Sequence, residues 1–526
     1  MTNRRGFLTG TGAVAIRLAT IFRLIAMIVM VFLSFAVFAV HEAGNPFVAD
    51  NSNKRNWKIV YGTYEGCERR AVEFASRELG ALIQRDAGVN TLHVVPCEKA
   101  GCETEKRRNA IVIGTLDSNP LLAACLTSAD IPEYGYLVRV VENAGRQLVL
   151  CAGSHPAAVI WAVADFMDDG IATLKIRHGD GIGYETEIFQ APRLGSYESR
   201  RKPKRRIRSV FSWAHVIGDY EAFFRNLARM RFNEAILWNE YPPLNAREIV
   251  DYAHSWGVNV LWGWSWGWST SCGSFDFARL AELEDEICRS WRKTWKPCGG
   301  DGIYFQSFTE GVKADVRGHS VAETVVKLVN AAAGRIWAED PGLRIVFGLH
   351  AEGVQTRLEE ISKADPRLEI LWENCGSFPF AISSSVDERT TLNRVKSILG
   401  LPGRRTGLVY KSQLMQDWSR FAHQSGPYVM GRNAATVIEE DRRMDKSLWR
   451  EMTSRWLTEG ESAWRMTKLI HSYDNAGSLN VVVESMDEPI RLPTALAAEM
   501  FWSTDDSWND LLSRVLKRAW LNAEGR

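Results

Sequence analysis

The sequence predicts an α/β protein, a (β/α)8 TIM barrel preceded by a small α/β accessory domain. Three observations predict it. The chain has 526 residues, more than one ordinary domain uses. From residue 207 onward, eight short β-like runs alternate with helical stretches, the pattern of a parallel sheet wrapped by helices. Residues 56–190 carry a shorter alternation of the same kind. A composition of 46% hydrophobic and 24% charged residues excludes wholesale disorder and a polytopic membrane protein. Lys+Arg 64 against Asp+Glu 63 leaves a net charge of +1, so no overall field recruits nucleic acid.

The chain opens with the twin arginines Arg4-Arg5, followed by the apolar run Leu24–Val40. That order of features is an export signal of the Tat type, with a cleavage site after Ala39. The same run left uncleaved is an N-terminal membrane anchor, the one membrane contact the sequence suggests. The expected location is therefore periplasmic or extracellular. Gly10-x-Gly12-x-x-Ala15 imitates a dinucleotide fingerprint, but no strand precedes it and it is set aside. The nine cysteines are an odd number, so at least one has no partner within the chain. Cys97 and Cys102 are close enough to pair in an oxidising compartment, and packing is the default role of Cys125, Cys151 and Cys288. No CxxC or Cys/His array has zinc spacing, so neither a metal nor an organic cofactor is expected.

In the accessory domain, Trp57–Tyr61, Ile111–Gly114, Leu137–Val141 and Leu148–Cys151 read as strands. Glu68–Gln84 and Pro156–Asp168 read as helices, the second with Ser154 near its cap. No convergent acid, base or nucleophile lies among them, so the domain reads as scaffold. The basic run Arg200–Arg208 reads as a solvated linker, with a polyanion or lipid contact as the alternative, and marks the domain boundary.

The barrel runs from 207 to 490, followed by a C-terminal helical segment, 491–526. Its candidate strands are Ile207–Trp213, Glu234–Trp238, Asn259–Trp262, Gly302–Phe308, Arg344–Gly348, Glu369–Trp372, Thr406–Tyr410 and Leu479–Val483. Helices are expected over Tyr220–Met230, Asn245–Ser255, Phe275–Thr294, Val321–Ala338 and Asp387–Leu399. The gap from Lys411 to Ser478 carries a Trp-rich helical stretch expected to form a lid or side wall.

Chemistry in such barrels sits where the strands end, because the loops that follow them form one cup. Here the strand ends carry carboxylates beside indoles. Of the 20 tryptophans only Trp57 and Trp161 precede residue 200, so the enrichment belongs to the barrel. Cleaving a glycosidic bond takes one carboxylic acid to protonate the leaving oxygen and a second carboxylate to activate water or stabilise the oxocarbenium-like centre. Indole faces stack on the C–H faces of pyranose rings. Glu310, at the lip of strand four after an inward Phe308, is the candidate acid, and Glu373 between Trp372 and Asn374 the candidate second carboxylate. Trp264 and Trp266 are candidate platforms. Trp238, Glu240, His350, Glu352, Trp372, Asn374, Lys411, Asp417, Trp418 and Glu484 complete the candidate substrate-binding set, and Tyr304 and Gln306 are expected inside the barrel.

Each candidate has a plainer role. A lone strand-end Glu is also a helix-cap partner or a surface charge. Glu352, Glu484 and Asp417 are alternatives to Glu373, since spacing in sequence does not supply the distance between carboxylates. His350 suits a satisfied barrel-mouth histidine as well as a base. The period-two series Trp262–Trp268 suits packing on one strand face, although Gly263 and Gly267 leave thin walls that favour an accessible groove.

The segments Ile113-Gly114-Thr115, Gly135-Tyr136-x-Val138 and Leu150-Cys151-Ala152-Gly153-Ser154 resemble the accessory domain of bacterial β-hexosaminidases and family 67 α-glucuronidases. The barrel resembles the same superfamily through Asp301–Glu310 and Leu371-Trp372-Glu373-Asn374-Cys375-Gly376. The resemblance implies an acid Glu at strand four and basic carboxylates on later strands, the positions of Glu310 and Glu373, and it implies inversion. Thr309 stands where family 20 hexosaminidases carry the Asp that orients the acetamido group. For a uronate, Lys411 and then Arg420 are the strand-end cations.

These readings converge on an exported glycoside hydrolase that cleaves O-glycosidic bonds of a complex glycan or polysaccharide with a carboxylate pair at the barrel mouth, either α-glucuronidase-like or N-acetylhexosaminidase-like. The alternative is a non-catalytic carbohydrate-binding barrel. Phosphate-loop and HExxH motifs, which would mark other chemistry, do not occur.

Overall fold

The computed structural model describes residues 57–516 and 518, apart from 66–67, 88–92, 98–108, 144–145, 171–196, 213–216, 268–276, 310–312, 351, 374–387, 412–425, 432–434, 474–475, 483–491 and 504–505. The signal segment, Cys102, Glu310, Asn374, Asp417, Trp418, Arg420 and Glu484 therefore lie outside the described residues.

The first lobe is a six-stranded sheet: β1 (Lys58–Tyr61), β2 (His93–Pro96), β3 (Ala110–Gly114), β4 (Tyr136–Asn143), β5 (Arg146–Gly153) and β6 (Glu198–Arg201), in the order β2-β1-β3-β5-β4-β6. Its apolar strands β1, β3 and β5 pair in parallel, while β4 runs antiparallel between β5 and β6. The helices Glu68–Ala87 and Pro156–Asp165 pack on each other. Pro156 starts the second helix, whose cap is His155, where Nδ1 accepts from the Ala158 N–H at 3.1 Å. Cys97 is disulfide-bonded, and Cys151, Cys288 and Cys298 are buried free thiols.

The second lobe is a closed barrel of eight parallel strands: β7 (Ile207–Phe211), β8 (Glu234–Trp238), β9 (Asn259–Trp266), β10 (Gly302–Ser307), β13 (Arg344–His350), β14 (Glu369–Glu373), β15 (Thr406–Lys411) and β16 (Ala476–Val482). The two-residue strands β11 (Asp315–Val316) and β12 (His319–Ser320) form a hairpin after β10. The eight expected strands all form, most of them reaching a residue or more beyond their expected ends.

Alternation along each strand divides the barrel into an inner and an outer face. Phe211, Ile236, Trp238, Leu261, Tyr304, Val346, Leu371 and Val409 fill the interior. Two glycines make room there. A Cβ at Gly348 would stand 2.1 Å from the Tyr304 hydroxyl, and one at Gly263 would stand 3.0 Å from the Trp238 ring. The N-terminal end is plugged by charge. Arg344 pairs with Glu234 and, at 2.8 Å, with Glu369, and the Ser209 hydroxyl donates to Glu234 at 2.5 Å. Burial raises the Glu234 pKa, although Arg344 opposes the rise.

The tryptophans pack outside the strands. Trp262, Trp264 and Trp266 alternate with the inner Leu261, Gly263 and Ser265 and face the helical layer. Trp264 stacks on Trp295 at 4.9 Å between ring centroids, Trp266 stacks on Phe305 at 3.7 Å, and the Trp262 indole donates to the Gly299 carbonyl at 2.9 Å. All three are buried, as is Trp372, which shares their outer layer. The expected sugar platforms Trp264 and Trp266, and Trp372 beside them, are therefore packing residues: β9 turns its odd-numbered positions inward. Gly263 gives its space to Trp238, and a Cβ at Gly267 would meet Leu283 and Phe308, so neither lines a groove. Phe308 packs in the outer layer too, while Tyr304 and Gln306 take inner positions as expected.

The basic run is not a solvated linker. Arg200 and Arg201 belong to β6, and Arg205 and Arg208 are buried. Arg205 donates to the carbonyls of Ile470, at 3.0 Å, and Tyr473, capping the long helix Ala435–His471. Arg208 lies 5.0 Å over both the Trp161 and Trp502 rings and donates to the Arg231 carbonyl. The long helix occupies the segment expected to be a lid or side wall. Its buried Trp456 and Met466, and its packing against the helix Leu492–Trp502, make it a wall.

The helix Leu492–Trp502 is buried from Pro493 onward and apolar apart from Thr494 and Glu499. That carboxylate receives Arg201 at 3.3 Å, Arg231 at 3.3 Å, Arg514 at 3.1 Å and Arg518 at 2.5 Å. Asp165 lies 3.7 Å from Arg201, Asp168 lies 3.4 Å from Arg518, and Asp169 lies 3.9 Å from both Arg201 and Arg514. The guanidiniums hold Glu499 well below the usual carboxylate range against the effect of burial, whereas burial beside Asp165 pushes partly exposed Asp169 up to about 7.

Three outcomes follow. Glu499→Gln leaves two buried and two part-buried guanidiniums short of their counter-charge and is expected to cost about 3–5 kcal/mol in denaturant unfolding. The raised Asp169 pKa favours folding at low pH, and that contribution is lost as pH rises through about 7. The Tm of Asp169→Asn minus that of the parent should accordingly grow from about pH 4 to above pH 7, and a flat difference would contradict the assignment. Trp264→Ala removes a stacked indole from a closed layer and should cost about 3–5 kcal/mol while leaving glycan affinity of the folded protein unchanged by titration.

Candidate active site

The charged plug closes the N-terminal end of the barrel, so the cup at the C-terminal ends of the strands is where a ligand can enter. The described part of that cup is built mainly by β8 and β9. The chain leaves β8 at Trp238, whose N–H donates to the Ser212 hydroxyl at 3.2 Å. The Trp238 ring faces inward and packs edge-on against Phe211 and Tyr304, with ring centroids 6.4 and 5.7 Å away. It forms a covered base beneath the cup.

The next residues turn onto the rim. The Asn239 N–H donates to the Gly263 carbonyl at 2.9 Å, and its Oδ1 accepts from the Tyr241 N–H at 3.2 Å. Glu240 reaches across to β9. Its carboxylate accepts from the Ser265 N–H at 3.2 Å and the Ser265 hydroxyl at 3.0 Å. Partial burial raises its pKa, and the two donated bonds pull the other way. Pro242 and Pro243 follow. The loop is then tied to residues 428–430: the Leu244 N–H donates to the Tyr428 carbonyl at 2.8 Å, and Asn245 exchanges two bonds with Met430, at 3.1 and 3.0 Å.

Other candidates are placed by backbone. Glu373 is the last residue of β14 and pairs in register with His350, the last of β13. Leu371 and Val346 face inward, so positions 373 and 350 have inner parity at the rim, and position 411, the last of β15, shares it with Val409. Glu352 lies in the short helical turn Glu352–Arg357 after β13. On β10 the chain passes the inner Gln306 and the buried Thr309, whose N–H donates to the Ser307 carbonyl at 2.7 Å, and position 310 comes next. The strand ends that carry Glu240, His350, Glu373 and Lys411 thus share one end of one barrel. Ser265 and Tyr241 were not among the sequence candidates. Ser265 was legible as the polar inner partner between two outward indoles, whereas nothing in the sequence marked the exposure of Tyr241. Among the described residues, no group of three or more His, Cys, Asp or Glu side chains is arranged to hold a metal ion.

No family model matches the chain, and no curated protein matches it. Among solved structures it is similar to a family 89 glycoside hydrolase from Clostridium perfringens in complex with PUGNAc, at a TM-score of 0.42 and 11% identity over 85% of this chain and 51% of that one. It is similar to an O-GlcNAc hydrolase from Thermobaculum terrenum, at a TM-score of 0.36 and 13% identity over 61% of this chain and 65% of that one. It is also similar to a D-psicose 3-epimerase from Clostridium cellulolyticum, at a TM-score of 0.28 and 12% identity over 60% of this chain and 97% of that one. The chain spans about half the length of the family 89 structure.

Proposed function

We propose that the protein is a glycoside hydrolase whose active site is the cup at the C-terminal end of the barrel, with Glu310 as general acid and Glu373 as the second carboxylate. The observation that carries this reading is the position of Glu373, which ends β14 with inner parity in register with His350 at the open end of a barrel plugged at the other. Thr309, the described residue before position 310, follows β10 at the same end, and β10 stands two strands from β14 in the barrel order. An acid would protonate the glycosidic oxygen while the second carboxylate activates water or stabilises the oxocarbenium-like centre. The substrate is an oligosaccharide or polysaccharide. A carbohydrate-binding barrel without turnover drew its support from the tryptophans, and the burial of Trp264, Trp266 and Trp372 removes that support.

Glu310→Gln and Glu373→Gln should each lower release of sugar from an aryl glycoside or glycan panel by about 10²–10⁴-fold, with the thermal unfolding midpoint unchanged. Full activity in Glu310→Gln would sink the assignment. Export through the Arg4-Arg5 segment belongs to the same proposal. It predicts that Arg4→Lys/Arg5→Lys keeps the protein in the cytoplasm when cell fractions are compared by immunoblot.

A further inference from the structure

We infer that Tyr241 and Glu240 form a sugar subsite on the rim of the barrel mouth, with the Tyr241 ring as stacking platform and the Glu240 carboxylate as hydroxyl acceptor, and that the sugar it takes is an uncharged pyranose unit. The inference rests on the hydrolase reading for the identity of the ligand, and on the rim geometry for its place.

Sugar recognition needs an accessible aromatic face beside a polar acceptor, both held still before the ligand arrives. The indoles first expected to supply the face are closed into the helical layer. Tyr241 is instead 50% exposed, and Leu244, three residues on, is 74% exposed. The loop that carries them is rigid. Asn239 accepts the Tyr241 N–H, two prolines fix the next two residues, and three bonds tie Leu244 and Asn245 to residues 428–430. Little ordering entropy therefore remains to be lost on binding.

Glu240 adds direction. Ser265 holds its carboxylate with two bonds, which leaves further lone pairs on the two oxygens for ligand hydroxyls. Adjacent equatorial hydroxyls of a pyranose are donors of the right spacing for a carboxylate. A uronate placed there would bring a second negative charge to within a few ångströms of the first, which at the dielectric of an exposed rim disfavours it by about fivefold. The subsite thus selects a neutral or N-acetylated unit over a uronate.

The test is isothermal titration of the full chain with chitohexaose, cellohexaose and hexagalacturonate at neutral pH, with released sugar followed by mass spectrometry in the same samples. At least one neutral hexasaccharide should bind more tightly than hexagalacturonate. Tyr241→Ala should weaken it by about three- to tenfold and Tyr241→Phe should retain it, in line with the size of an aromatic stack. Glu240→Gln should narrow the gap between neutral and charged probes. Both sites are exposed, so the variants should unfold at the parent midpoint. Binding of neither neutral probe, equal binding of Tyr241→Ala, or preference for hexagalacturonate would overturn the inference. Sugar release with affinity independent of Tyr241 removes the platform and leaves the hydrolase reading standing. Tyr241-dependent binding without release of sugar supports the platform and counts against hydrolysis.

Discussion

One buried carboxylate organises the join between the two lobes. Glu499 sits on an apolar helix with four guanidiniums around it, one from the last strand of the six-stranded sheet, one from the start of the second barrel unit and two from the C-terminal end of the chain. A charge so placed would be prohibitive alone, and each arginine would be equally unwelcome without it. The set is therefore stable only when all its members arrive. Asp165, the last residue of the Pro156–Asp165 helix, and Asp168 and Asp169, on the turn after it, extend the network into the sheet lobe. Beside it, Arg208 lies over the rings of Trp161 and Trp502, and Arg231 lies over that of Trp502.

This arrangement separates structural charge from charge left open to chemistry. The plug of Arg344, Glu234 and Glu369 and the Glu499 cluster lie away from the mouth and satisfy their charges internally. On the described rim, Glu240 is held by the hydroxyl and amide of Ser265 and not by a cation, so it keeps the capacity to accept from a ligand. The same residue type serves opposite ends because its partners differ.

The barrel was legible because its strands are short apolar or β-branched runs bounded by turn residues, and Glu234–Trp238 forms where the pattern places it. The site was less so. Trp262, Trp264 and Trp266 reveal a shared strand face through their period of two, but a barrel strand is covered on both faces, so periodicity does not say which face meets the ligand. The glycine between the indoles was a truer guide: an inner position must be small where Trp238 of the next strand already fills the barrel. The basic run was misread for a different reason. Arg201 meets its counter-charge about 300 positions away at Glu499, and Arg205 finds its acceptor carbonyls about as far along the chain, pairings that local composition does not contain. The strands β2 and β6 were missed because both are short, and β6 is charged along its length.

Because the clasp joins residues 165–231 to residues 499–518, it also orders events during synthesis. The sheet lobe and most of the barrel emerge before the helix Leu492–Trp502 exists, and until then the faces of Tyr136, Trp161 and Phe232 that this helix covers remain bare. A chain cut short anywhere before that helix keeps its apolar seam and a cluster of unpaired arginines on display, which are the features chaperones and proteases act on. Formation of the helix Leu492–Trp502 thus closes a seam that every earlier element leaves open.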